Sequence, residues 1–238
     1  MDTGTLDTEK SERRWRPLTS IQRRIAGVLV EKAKTTPDAY PLTLNALTNG
    51  CNQKSNRDPH MDLSAEDIER AVEELREMGA LTEVQSGGRV AKYRHYLYEW
   101  LGVDKVELAV MAELLLRGEQ TIGELRGHAA RMEPIGDLNA LRPVLDSLEA
   151  KQLIVNLTPP GRGQVITHNL YTPERLEELK KQYASGRPAD ELESTHEPRP
   201  RFSGASAEAF AALEAKLAET RAEVQKLRER LERVENRE

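Results

Sequence analysis

Five cations stand in two short stretches with the company that phosphate contact requires. Lys54 and Arg57 lie within Cys51-Asn52-Gln53-Lys54-Ser55-Asn56-Arg57-Asp58-Pro59, where most of the other side chains are amides or hydroxyls. Arg89, Lys92 and Arg94 follow Gly87-Gly88, with Tyr93, His95 and Tyr96 interleaved. Lysine and arginine neutralise phosphate and amides add hydrogen bonds, which gives sequence-tolerant, salt-sensitive contact with nucleic acid. These five residues are the candidate nucleic-acid contacts. Two plainer readings stand beside that one: strand charges that solvate an exposed hairpin, and Asn and Ser side chains that satisfy the backbone of a long turn.

A second charged group, Glu124, Arg126 and Arg131, falls on or near a short helix and is expected to form a structural ion-pair cluster bracing the two halves of the chain, the alternative being an anion site. Catalysis finds little support. His60, His95, His128, His168 and His196 are scattered, and no Cys-x-x-Cys or His-Glu-x-x-His spacing offers a zinc site. The Gly87-Gly88 pair lies between two strand patterns with no helix after it, so it reads as a hairpin tip and not a phosphate cradle. Cys51 beside Lys54 reads as a buried small hydrophobe. The expectation is a non-enzymatic protein with no metal and no cofactor.

The elements that must position these residues repeat along the chain. Ile68, Ala71, Val72, Leu75, Leu81, Gly88 and Tyr98 recur 73 positions later as Leu141, Val144, Leu145, Leu148, Ile154, Gly161 and Tyr171. Helical apolar spacing that runs into a strand pair with a glycine-rich tip is the pattern of a winged helix-turn-helix. The expected fold is mostly α with small β-hairpins, an α+β class: winged-helix modules over residues 18–98 and 99–173. The first opens with Thr19 or Ser20 capping a helix to about Lys34, and Pro41 then starts a short second helix. Ser64 caps a third helix that Gly79 ends, and a hairpin follows with strands over 81–85 and 90–97. The second module starts near Asp104, uses Thr121 and Asp137 as caps, carries Pro143 inside its third helix, and pairs strands over 153–158 and 164–171.

With 238 residues, 38% of them hydrophobic and only two Phe and two Trp, the chain has material for two small cores of roughly 70–80 residues each. Residues 1–17 read as a disordered arm in which Trp15, beside Arg13, Arg14 and Arg16, is solvated unless it docks on the body or a partner. Residues 174–205 read as a short helix and linker. Phe210, Leu213, Leu217, Val224, Leu227, Leu231 and Val234 form a heptad seam, so residues 206–236 are expected to be a coiled coil that joins two copies of the chain. The alternative is an amphipathic helix that folds back or binds another protein. A single cysteine, the absence of an apolar run in the first ten residues and no stretch long enough to span a membrane give the expectation of a cytoplasmic protein without membrane contact.

Charge argues about partners. The net charge is −5, so nucleic-acid contact must come from a local patch. Helix 3 of the first module sets Glu66, Asp67, Glu69, Glu73, Glu74 and Glu77 against Arg70 and Arg76, a poor face for the major groove. Helix 3 of the second module is milder, with Asp137, Asp146 and Glu149 against Arg142 and Lys151, yet neither reads as a recognition helix. Two functions follow: a regulator that associates with double-stranded DNA through the first hairpin and the 52–58 loop, or a protein-interaction adaptor that uses acidic helix 3 and the coiled coil. The first is narrowly favoured.

Long strings in the chain resemble one bacterial family. They are Tyr40-Pro41-Leu42, the whole Cys51 to Pro59 segment, Val90-Ala91-Lys92-Tyr93, Leu114-Leu115-Leu116-Arg117-Gly118 with Gln120-Thr121, Gly123-Glu124-Leu125-Arg126 and Ala130-Arg131-Met132. Through them the chain is similar to the YceH-like family of uncharacterised bacterial proteins over residues 18 to 172. The resemblance implies a tandem winged-helix fold and no established activity, substrate or catalytic residue. The heptad tail lies outside it.

Overall fold

Helix starts are set by local hydrogen bonds. Thr19 accepts from the Gln22 backbone N–H at 3.3 Å while the Gln22 side chain returns to the Thr19 N–H at 2.8 Å, and Ser64 with Asp67, Asp104 with Glu107 and Thr121 with Glu124 repeat the reciprocal cap. In the computed structural model, which describes residues 15–84 and 90–185, these caps open α1 (Ser20–Thr35), α3 (Ala65–Glu77), α5 (Lys105–Arg117) and α6 (Ile122–Ala129). Thr43 caps α2 (Leu44–Cys51), Asp137 caps α7 (Leu138–Ala150), which accommodates Pro143, and Thr172 caps α8 (Pro173–Ala184).

The two repeats share one topology. In the first, β1 (Leu42–Thr43), β2 (Leu81–Val84) and β3 (Lys92–His95) form an antiparallel sheet of order β1-β3-β2; in the second, β4 (Gln120–Thr121), β5 (Ile154–Asn156) and β6 (Val165–His168) form one of order β4-β6-β5. A short α4 (Leu97–Leu101) links them. The chain is thus mostly helical with small antiparallel sheets. No helix among the described residues is long and apolar enough to cross a membrane.

The cap residue at the start of each repeat also ties the first helix to the third. Gln22 Nε2 donates to Glu74 Oε2 on α3 at 2.6 Å, whereas Glu107 accepts from Ser147 Oγ on α7 and from Lys151 Nζ just past its end, each at 2.6 Å. The brace is the same and its polarity is reversed.

The composition points to two small cores; the structure has one continuous apolar cluster drawn from both repeats. The reason is the close packing of α1 on α5. A Cβ on Gly27 would sit 2.7 Å from Leu116 Cγ and 3.2 Å from the Ala112 carbonyl oxygen, so only glycine admits this approach. Gly27→Ala is therefore expected to destabilise by about 1–3 kcal/mol through overpacking, against a helix-propensity gain of about 1 kcal/mol. Urea denaturation measures it; an unchanged midpoint would mean that the helices stand further apart.

Four expectations are corrected. Trp15 is not solvated: it is 9% exposed and part of the core, and the neighbouring Leu18 N–H bonds the Leu170 carbonyl at 2.8 Å, so the ordered body reaches into the expected arm. Pro41 does not open α2. Leu42–Thr43 pairs with β3 instead, and the Thr43 hydroxyl, accepting from the Ala46 N–H at 3.2 Å, starts the helix. The last strand of the first repeat ends at His95, because the Tyr96 N–H donates to the Ala80 carbonyl and the Leu97 N–H to His95 Nδ1, which turns the chain into α4. In the second repeat the strands shorten to β5 and β6. The expected arm over residues 1–14, Arg89 with residues 85–89, the linker, and the coiled-coil seam from Phe210 to Val234 lie outside the described residues.

Candidate functional site

Strand alternation sorts β3 into two faces. Tyr93 and His95 are buried, while Arg94 is exposed and Lys92 half-exposed; just past the strand, Leu97 is buried and Tyr96 44% exposed. Val90, two positions earlier, is 62% exposed. Register decides what surrounds this outer row. Lys92 stands between Thr43 of β1 and Val84 of β2, and Arg94 stands opposite Thr82. No carboxylate occupies a cross-strand position beside either cation, and neither makes a salt bridge among the described residues. The acid on the neighbouring strand lies on the other face. Glu83 is opposite Tyr93 and pairs with Arg76 of α3 at 3.4 Å, and the Tyr93 hydroxyl is held above its ordinary range by burial and then by Glu83, Glu69 and Glu73.

The loop of the other two candidates is built inward. Arg57 is 2% exposed and forms a fork on Glu31 of α1, with Nη2 to Oε2 at 2.6 Å and Nη1 to Oε1 at 3.2 Å. It also donates to the carbonyls of Gly50 at 3.0 Å and Asn56 at 2.8 Å. Arg57 is thus corrected from a surface phosphate contact to a buried structural residue, since all three of its guanidinium nitrogens donate inside. Arg24 clasps both ends of the loop, donating to the Cys51 carbonyl at 3.0 Å and the Pro59 carbonyl at 2.5 Å, and burial followed by Arg57 lowers its pKa to about 10. The far side of the loop docks on the second repeat: Asn56 Oδ1 accepts from Arg117 Nη2 at 2.5 Å, and the Asp58 N–H bonds the Leu116 carbonyl at 3.0 Å. Asn52 binds the Leu63 backbone through both its amide atoms at 2.8 Å. The turn-satisfying reading of these amides is the one that the hydrogen bonds follow.

Lys54 remains exposed, but at the opposite end of α2 from Lys92, whose partner Thr43 caps that helix. An eight-residue helix separates them by roughly 12 Å. The five candidates therefore do not converge: one is buried, one is remote, one lies outside the described residues, and Lys92 with Arg94 share a face.

The expected cluster of Glu124, Arg126 and Arg131 does not form as a unit. Glu124 is spent on the Thr121 cap, and Arg126 reaches the carbonyls of Ile135 and Gly136. Arg131 instead meets Glu113, which is 0% exposed, at 3.2 Å, beside the Arg117 Nε at 2.8 Å. Burial pushes the Glu113 carboxyl up, against the pull of both arginines. His128 completes this group: its Nε2 lies 3.3 Å from Arg117, which can only donate, so Nδ1 carries the proton and donates to Gln120 Oε1 at 2.7 Å. The missed acid had a signal, because Glu113 interrupts an otherwise apolar run. Glu31 had none.

The outer face of α3 carries Glu66, Glu69, Arg70, Glu73, Glu74 and Glu77, all exposed. Cys51 is buried and its thiol is pushed up to about 12 by burial, which removes it as a nucleophile at neutral pH. Among the described residues no group of three or more His, Cys, Asp or Glu is placed to hold a metal ion.

The class is thus a duplicated helical protein with two small sheets and a single shared core. Residues 18–162 match the family described as "Protein of unknown function, DUF480", and the chain belongs to it. The chain is 55% identical over 183 residues to a UPF0502 protein of Rhodopirellula baltica, covering 75% of this chain and 77% of that one. A UPF0502 protein of Acidovorax sp. is 39% identical over 226 residues, covering 92% and 96%. A third, from Geotalea daltonii, is 51% identical over 148 residues, covering 61% and 68%.

Proposed function

We propose that each repeat is a winged helix-turn-helix and that the chain is a non-enzymatic, nucleic-acid-associated protein that meets phosphate through the outer face of its first sheet. The observation that carries this reading is the side-by-side placement of Lys92 and Arg94, flanked across the strands by Thr43, Thr82 and Val84 and by no acid. Acidic α3 does not take the major-groove role, since its exposed carboxylates would face a polyanion. Binding is sequence-tolerant as a result.

Fluorescence anisotropy on a random duplex tests it. Affinity is expected to weaken about tenfold between 50 and 200 mM salt, the dependence of roughly two phosphate contacts, and to be lost in Lys92→Ala/Arg94→Ala. No binding at low salt, or binding indifferent to the double substitution, would remove the proposal. The acid face of α3 favours a second reading, an adaptor for a basic protein partner, and that reading takes over if the duplex is not bound.

A further inference from the structure

Tyr96 is the exposed aromatic that the outer row of β3 leads to, and the phosphate contacts alone do not use it. A tyrosine 44% exposed leaves apolar ring surface in water, and its hydroxyl makes no hydrogen bond among the described residues. It follows Arg94 by two residues, just past the end of β3, where the chain turns into α4. The sheet row therefore presents two cations with no acid in a cross-strand position, and the exposed ring stands just beyond its end. That order of groups meets a phosphate backbone and the face of a base together.

We propose that this face binds single-stranded nucleic acid, with Tyr96 stacking on an unpaired base while Lys92 and Arg94 hold the adjoining phosphates. A duplex hides its base faces in its own stack, so the ring gains nothing there; an unpaired base offers its face, and every base does, which makes the contact tolerant of sequence. An acidic peptide would satisfy the cations equally and gain nothing specific from the ring.

The inference rests on the reading that this face meets nucleic acid, and the experiment separates the two. The full chain is titrated at about 50 mM salt against a labelled 20-nucleotide oligothymidylate and against a random duplex of that length. Single strand is expected to bind at least fivefold tighter. Tyr96→Ala should cost the single strand roughly fivefold or more, Tyr96→Phe should retain it, and neither should change the duplex, as follows from the stacking contribution of one base. Lys92→Ala/Arg94→Ala should weaken both. Equal affinity for the two forms, or a single strand indifferent to Tyr96→Ala, overturns the stacking proposal and leaves the phosphate reading standing. Binding of neither overturns both. Tyr96 is on the surface, so its substitution leaves the core untouched.

Discussion

Arg57→Ala is expected to lower the stability of the folded body by about 3–5 kcal/mol, the cost of stranding a buried charge. The guanidinium lies between Glu31 and the carbonyls of Gly50 and Asn56 with almost no exposure. Its removal leaves the Glu31 carboxylate buried, with Lys32 Nζ at 3.8 Å as the nearest remaining cation. It also frees the loop that Asn56 and Asp58 dock on the second repeat, so the loss reaches the junction of the two halves. For a unit of this size the thermal midpoint should fall on the order of 10 °C. Arg57→Lys keeps the charge without the planar fork and should recover only part of the loss. Replacing both partners, Glu31→Leu with Arg57→Met, should be far less damaging than either single change, because no buried charge is then left alone. An unaltered melting temperature in Arg57→Ala would place the side chain in solvent and return it to the phosphate-binding candidates.

Acidification from pH 7 to pH 4 should weaken the fold steeply, and two histidines at equivalent positions of the repeats are the cause. His95 and His168 end the central strands, and each accepts a backbone N–H through Nδ1, from Leu97 at 3.4 Å and from Leu170 at 3.2 Å. Each also packs against a tyrosine three residues on, with ring centres 5.8 Å apart for Tyr98 and 4.0 Å for Tyr171. Burial, then Lys34 and Arg94, and against them Glu99, lower His95 to about 4; burial and then Arg23 carry His168 well below its ordinary value. Unfolded imidazoles take up a proton near pH 6.5, whereas the folded ones refuse it. The unfolded chain then binds more protons, and stability present above pH 6.5 is lost as the pH falls toward 4. For His95 alone that loss is roughly 3 kcal/mol. Glu113, whose pKa is raised, acts in the opposite sense and trims it. Urea midpoints at pH 7, 5.5 and 4.5 measure the slope, and His95→Asn, which keeps an acceptor but does not titrate, should flatten it. A slope equal in wild type and His95→Asn would mean that the imidazole is charged in the folded state.

The caps and helices were legible because their causes are local. Thr19, Ser64, Thr121 and Asp137 bond donors within three residues, and the apolar spacing of Ile68, Ala71, Val72 and Leu75 marks a buried face whatever it packs on. The alternation that exposes Lys92 and Arg94 was equally plain. The two-residue strands β1 and β4 were not, since two residues carry no period, and Trp15 among arginines gave no sign of its burial.

The residues alone therefore determined the duplicated order of elements, the helix starts and the cations of β3, all of which depend on neighbours a few positions apart. Tertiary structure decided which cations are available. Glu31 lies 26 residues from Arg57 and Glu113 lies 18 from Arg131, and tertiary packing buries both acids, where an unpaired charge is too costly to leave: Arg57 is drawn in after Glu31, while Arg131 reaches Glu113 from the surface. A polar loop that reads as surface becomes a clasp for that reason, and the outer face of the first sheet keeps its positive charge because its register places no acid beside it.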